Sequence, residues 1–289
     1  MGALLGYVRS ESLDEALEFL VEYGQETAIL AGGTDVLIDM RSGDLNPKYL
    51  LDVSRLSELK GIEIKNGELW VGSGVTISEI YTSKTLSRFA PALQRAAFSF
   101  ASKQIRNVAT IGGNVAHCSP CGDTVPPLII HEAKVLLKSL RGERTIPIET
   151  LAAGPYKSSI GPDEVIIRFM LKPKEGTFAD FQKIGRRREL AIARVSMAVM
   201  AEKDDNGKIS FIRVALGSST PTPRRMEEVE GFLKGKRPEE ASLWEAGQIA
   251  ATRMIEISGI RPSTVYKEKA VQGLLMRMLY PMVENGKGI

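Results

Sequence analysis

Two glycine pairs, Gly32-Gly33 in AGGTD (31–35) and Gly112-Gly113 in TIGGN (110–114), are residues whose type and spacing suggest chemistry. Glycine lets a ligand oxygen approach main-chain N–H groups that have no internal partner, so a strand, a glycine turn and a helix start together cradle an anion. Plain turns use the same residues, and spacing alone leaves both readings open. Just past the second pair, His117, Cys118 and Cys121 offer other chemistry: a Cys-x-x-Cys that holds a metal or cycles between thiol and disulfide. The count weighs against it. The chain has two cysteines and two histidines, whereas a structural zinc ion takes four ligands and an iron–sulfur cluster usually four cysteines. A redox Cys-x-x-Cys opens a helix, but Pro120 and Gly122-Asp123 read as loop. Two histidines, His117 in a loop and His131 after an apolar run, do not easily assemble a Ser-His-Asp set either.

The elements that must position these residues follow from periodicity and punctuation. Ser12-Leu-Asp-Glu15 is a capping box, with Leu13, Ala16, Leu17, Leu20 and Val21 at helical spacing behind it. TAILAGG (27–33) reads as a buried strand entering the first glycine pair, and VLIDM as a short helix ending near Gly43. YLLDVS, GIEIK and ELWVGSG read as strands, the last two joined by an Asn66-Gly67 hairpin turn. TISEIYTSKTL and APALQRAAFSFAS read as helices. AKVLLKSL and GERTIPIETL form a second hairpin, and DEVIIRFML (163–171) an apolar strand closed by Pro173. After the polar stretch KPKEGT (172–177), the segments FADFQKIG, ARVSMAVMAEK and KISFIRVALGSS read as three strands in meander, followed by two helices, an α+β layer.

The chain as a whole narrows the classes. Its 289 residues carry 38 basic and 35 acidic side chains, net +3, which is not the concentrated positive field that nucleic-acid binding needs. The opening MGALLGYVRSESLDEAL lacks a basic segment followed by a long apolar run, and no later segment reaches the roughly 18 apolar residues that span a bilayer. A soluble, cytoplasmic protein is expected.

AGGTD at 31–35, QIRNVATIGGN at 104–114, SPCGD at 119–123, GER at 142–144 and the Lys183-Ile-Gly-Arg-Arg tract resemble, in order and spacing, the FAD-binding medium subunit of the molybdenum hydroxylases. That group includes the flavoproteins of xanthine dehydrogenase and aerobic carbon monoxide dehydrogenase, and the resemblance covers nearly the whole chain. It implies an α+β fold: an FAD-binding domain of the vanillyl-alcohol oxidase type in residues 1–174, made of two α/β subdomains split near 52–60, and a C-terminal domain in 175–289 with a three-stranded sheet and helices. FAD brings a diphosphate, an adenine and a flavin ring whose potential depends on nearby donors. By resemblance, one loop (Leu30, Ala31, Gly32, Gly33, Thr34, Asp35 and Val36) and a second (Ala109, Thr110, Ile111, Gly112, Gly113 and Asn114) wrap the diphosphate. Ser119 joins the cofactor set, and Asp123 accepts hydrogen bonds from FAD hydroxyls. Phe100 lies beside the adenine, Ile166 and Ile167 lie against the flavin ring, and Lys183 lies near it, where a cation stabilises the reduced form. The ordinary alternatives are a loop-capping Asp, a core Phe, a buried strand and a solvated strand end.

The same resemblance places no catalytic residue and no metal on this chain. A large partner subunit is expected to hold the molybdenum cofactor, a small one two [2Fe–2S] clusters, and electrons pass through this FAD to an external acceptor. Xanthine dehydrogenase has acidic residues where this chain has Gly185-Arg-Arg-Arg-Glu189, so NAD as acceptor stays open. Other readings are a stand-alone flavoprotein oxidase or dehydrogenase acting on a small molecule, and a nucleotide-binding module without redox work.

Overall fold

The computed structural model describes residues 4–187 and 190–283. Arg188 and Glu189, in the tract where the chain departs from xanthine dehydrogenase, lie outside the described residues. In chain order the strands are β1 (Gly6–Arg9), β2 (Thr27–Leu30), β3 (Tyr49–Asp52), β4 (Ile62–Lys65), β5 (Glu68–Gly72), β6 (Lys134–Ser139) and β7 (Gly142–Pro147). They continue with β8 (Ala152–Gly154), β9 (Lys157–Ser158), β10 (Val165–Leu171), β11 (Phe178–Ile184), β12 (Val195–Lys203), β13 (Ile209–Gly217) and β14 (Arg224–Arg225). The helices are α1 (Leu13–Tyr23), α2 (Val36–Ser42), α3 (Ile77–Thr82), α4 (Lys84–Phe89), α5 (Pro91–Ser99) and α6 (Lys103–Arg106). After them come α7 (Ile111–Ala116), α8 (Val125–Ile130), α9 (Glu227–Leu233), α10 (Glu240–Ser258) and α11 (Thr264–Leu279). Among the described residues no helix is long and apolar enough to cross a membrane.

The chain forms two compact units from interleaved segments. The first takes Met1–Thr85, Ser102–Cys118 and Glu132–Pro173; the second takes Leu86–Ala101, Ser119–His131 and Lys174–Ile289. The first unit holds a three-stranded parallel sheet in the order β1-β3-β2, with Arg9, Asp52 and Leu30 in register at its C-terminal edge. The first glycine pair follows directly from that edge, where open parallel sheets characteristically bind ligands. Helix α1 packs Leu13, Ala16, Leu17 and Leu20 into a core with Leu51, Val53, Leu56, Leu59, Val165 and Ile167. Its expected capping box forms by half: Ser12 accepts from the Glu15 N–H, while the Glu15 carboxylate takes the Glu11 N–H. The unit's other main sheet is antiparallel, β4-β5-β10-β6-β7, and Asn66 and Gly67 make its first turn with φ of 52° and 76°. Left-handed φ at both turn residues matches the strand twist.

The second unit is built on the antiparallel sheet β11-β12-β13-β14. The expected three strands are present, and a two-residue fourth, β14, pairs with β13 and was too short to show any period. The apolar run of β12 is buried along seven consecutive residues. Val195, Met197, Val199, Val214 and Leu216 share a core with α9, α10 and α11, while α5 and α8 also pack against this sheet. A strand covered on both faces loses the alternation that a half-exposed strand shows.

Candidate functional site

In the first unit, the backbone emerges from β2 at Leu30, passes the glycine pair and enters α2 at Val36. Gly32 has no room for a side chain: a Cβ there would stand 2.1 Å from the Val108 carbonyl oxygen and 2.9 Å from the Ala109 Cα. Two backbones in such contact require glycine. Gly33 is glycine for a different reason, a left-handed φ of 69°. Beyond it the N–H groups of Gly33, Thr34, Asp35 and Val36 donate to no acceptor among the described residues, while the carbonyls of Gly33 and Asp35 accept from Leu37, Ile38 and Asp39. Four adjacent, half-exposed donors in one turn are what a multi-oxygen anion takes up.

The contact between Gly32 and Val108–Ala109 brings the second loop beside the first. That segment is fastened to the chain after β5: Ile77 N–H donates to the Ala109 carbonyl at 2.9 Å, Ile111 to Val75 at 3.0 Å and Gly112 to Ser73 at 2.8 Å. Gly112 is forced, because its Cβ would lie 2.7 Å from both Cβ and O of Ser73. Thr110 caps α7, its hydroxyl accepting from the Gly113 N–H at 3.0 Å, and the Asn114 N–H goes to the Thr110 carbonyl. The sequence expectation that both pairs present free amides therefore holds for the first loop only. The second has the amides of Ile111, Gly112, Gly113 and Asn114 satisfied and offers instead an open face: Gly113 is exposed, and a Cβ there would meet only Thr110 Oγ1 at 3.2 Å. The Thr110 hydroxyl, already an acceptor, keeps its hydrogen to donate.

At the far end of α7, His117 Nε2 lies 3.2 Å from Asp39 Oδ2, and its Nδ1 3.9 Å from Asp35 Oδ1. Burial pushes the Asp35 carboxyl above its ordinary range, His117 pulls it down, and Asp39 raises it further. Of the remaining expected residues in this unit, Ile166 and Ile167 are buried in β10, and Ile167 belongs to the core with α1. Packing accounts for Ile167 without a ligand.

In the second unit, Asp123 and Lys183 form an ion pair with both side chains nearly buried, 8% and 11% exposed. Lys183 is thus no solvated strand end. One carboxylate oxygen of Asp123 takes the ammonium; the other, Oδ1, is buried with no partner. Burial pushes this carboxyl up against the pull of Lys183. Phe100 is half-buried at the end of α5, and Ser119 accepts from the Cys121 N–H. Cys118, in the first unit, donates its thiol to Val115 O, and Cys121, in the second, to Ala193 O. Among the described residues no group of three or more His, Cys, Asp and Glu side chains is arranged to hold a metal.

Two family models match the chain. The FAD binding domain in molybdopterin dehydrogenase matches residues 3–173, and the CO dehydrogenase flavoprotein C-terminal domain residues 180–282. The chain belongs to this FAD-binding family of molybdopterin dehydrogenases. It is 36% identical over 227 residues to the xanthine dehydrogenase FAD-binding subunit of Escherichia coli O157:H7, covering 78% of this chain and 77% of that one. It is 30% identical over 278 residues to the carbon monoxide dehydrogenase medium chain of Hydrogenophaga pseudoflava, covering 94% and 95%. The solved carbon monoxide dehydrogenase of Hydrogenophaga pseudoflava, in a form that lacks the Mo-pyranopterin moiety of its cofactor, superposes with a TM-score of 0.90 at 26% identity over 98% of this chain and 100% of that one.

The residues present fit the family's cofactor. In the first unit, four unpaired amides suit the diphosphate of FAD; in the second, taken by itself, the orphaned buried carboxylate oxygen of Asp123 suits a hydroxyl. Three residues that hold the two loops in place lie outside both of them. Ser73 and Val108 act through their backbones, which carry no residue-type signal. His117 reads in the sequence as a candidate metal ligand or Ser-His-Asp member, and its contact with Asp35 and Asp39, 82 and 78 residues away, has no local signal.

Proposed function

We propose that this chain is the FAD-carrying electron-transfer subunit of a multi-subunit molybdenum hydroxylase. Electrons arrive from the [2Fe–2S] clusters of a small partner subunit, after substrate chemistry on a molybdenum-bearing large subunit, and leave to an external acceptor. The observation that carries the reading is the run of unpaired amides from Gly33 to Val36, seated against the backbone that leads to Thr110 and Gly113. Relatives that match over most of their length support it, among them proteins named FAD-binding subunit and medium chain.

Bound FAD supplies the electron transfer. The residues of this chain hold it. The first loop, Leu30 to Val36, donates main-chain hydrogen bonds to the diphosphate, each charge-assisted bond contributing about 1.5–3 kcal/mol. The second, Ala109 to Asn114, leaves the phosphates room at Gly113 and adds the Thr110 hydroxyl as a donor. For the second unit, Asp123 is proposed to accept from a sugar-chain hydroxyl, its charge held by Lys183, with Ser119 and Phe100 completing that set. Ile166 is retained as an apolar contact for the flavin. A domain boundary near 172–177, between residues 1–174 and 175–289, is supported by family matches that stop at 173 and resume at 180. A cytoplasmic location is proposed for the assembly.

A visible spectrum of the purified chain tests the reading. Flavin bands are expected, without turnover of any substrate until molybdenum and iron–sulfur subunits are added. A colourless protein that FAD cannot reconstitute overturns it, and independent oxidation of a small substrate makes the chain an enzyme in its own right.

A further inference from the structure

We propose that His117 is a positioning residue that locks the two cofactor loops of the first unit together, and so sets how tightly the FAD diphosphate is held. The inference rests on the FAD reading above and adds a residue outside both loops. His117 closes α7, the helix that begins at the second glycine pair, and its ring reaches α2, the helix that begins at the first. A carboxylate only accepts, so Nε2–H is the donor to Asp39 at 3.2 Å. The other ring nitrogen stands 3.9 Å from Asp35, the last residue before α2 and one of the four whose N–H is unpaired. One imidazole thus faces a carboxylate in the first turn of α2 and the carboxylate that precedes that helix, from the far end of the helix that carries Thr110 and Gly113.

The arrangement answers an electrostatic difficulty. Asp35 and Asp39 bring like charges to the turn that is to receive a diphosphate, and like charges at short range oppose binding. A hydrogen bond from the imidazole directs the Asp39 carboxylate toward α7, and the ring interposes beside Asp35. The ring is itself held. Tyr156 packs edge-on against it with centroids 5.2 Å apart, and the Tyr156 N–H donates to the Cys118 carbonyl, the residue next to His117, at 2.9 Å.

The test is FAD titration of the full-length apoprotein, followed by flavin fluorescence, together with the melting temperature of the apoprotein. His117→Ala is expected to raise the FAD Kd about tenfold, which is ~1.4 kcal/mol. His117→Gln, whose amide can still donate to Asp39, is expected to recover most of that loss. Asp39→Asn combined with His117→Ala is expected to be no weaker than His117→Ala alone, because the two side chains act through one contact. An unchanged Kd in His117→Ala overturns the proposal. So does a loss that Gln does not rescue and that tracks a falling apoprotein melting temperature, since the ring is then only part of the fold. Failure of the wild-type apoprotein to take up FAD removes the cofactor reading itself and this proposal with it, an outcome distinct from the other two.

Discussion

At the first glycine pair both residues answer to the chain itself: Gly32 because the Val108 carbonyl occupies the place of a side chain, Gly33 because its φ is left-handed. At the second, Gly112 answers to Ser73 in the same way, but among the described residues a Cβ at Gly113 would meet one side-chain atom alone, Thr110 Oγ1 at 3.2 Å. The amides divide in the opposite sense. Those after the first pair are unpaired, and those of the second are taken by Val75, Ser73 and Thr110. On the proposed function, motifs that look alike in sequence share out one task, the first loop supplying donors and the second supplying space. A glycine with no internal reason to be one is the clearer sign of a ligand, because at a helix start it forgoes up to about 1 kcal/mol relative to alanine.

Substitutions at Gly32 and Gly112 should break this comparison most severely. Gly32→Ala places a Cβ against backbone that has no way to retreat, and a loss of about 3 kcal/mol or more is expected, visible as a large fall in melting temperature of the apoprotein. Gly112→Ala, with contacts at 2.7 Å, should follow closely. Both should lose FAD as a consequence of damaged loops. An apoprotein of normal stability in Gly32→Ala would mean that the two loops are not in contact, and in Gly112→Ala that the second loop does not rest on Ser73.

The middle positions separate strain from ligand. Gly33→Ala keeps its φ at a cost of about 1–2 kcal/mol, and Gly33→Asp should lose FAD with that cost mixed in. Gly113→Asp carries no such cost. Its apoprotein should melt within about 0.5 kcal/mol of wild type while FAD fails to bind, because a carboxylate stands where the phosphates do. Retained stoichiometric flavin in Gly113→Asp would sink the proposed division of labour. Gly113→Ala sharpens it, with stability equal to or slightly above wild type and weaker FAD. A smaller effect is expected from Thr110→Val, which removes the cap of α7 and a phosphate donor: about 1 kcal/mol of stability, with a several-fold rise in FAD Kd.

How far this was legible in the sequence differs by residue. Both glycine loops, the Asn66-Gly67 turn, the α1 core face and the meander β11-β12-β13 follow from local pattern. The division between donors and space does not, because it is decided by Ser73 and Val108, whose backbones reach the glycines from remote parts of the chain. Lys183 shows the same limit. A lysine near a strand end reads as solvated until Asp123, 60 residues away, is seen to bury it. Strand β1 escaped notice because GYVR is four residues with no alternation that composition marks, and it exists by pairing with β3. The SPCGD segment reads as a continuation of TIGGN, yet the chain passes from one compact unit to the other between Cys118 and Ser119.

The smallest effect is expected where the sequence looked most reactive. Burial pushes the Cys118 thiol up, which keeps it protonated and a poor nucleophile or metal ligand at neutral pH. Its S–H donates to the Val115 carbonyl at 3.6 Å, a role that a serine hydroxyl also fills, and Cys121 donates in the same manner to Ala193. Cys118→Ser combined with Cys121→Ser should therefore keep FAD at wild-type stoichiometry and lose no more than about 1 kcal/mol of stability. The comparison with the glycines is direct, since one added carboxylate at Gly113 is expected to do what removing both thiols does not. Loss of flavin, or of a bound metal, in the double serine variant would reverse it and return the chemistry of this stretch to the cysteines.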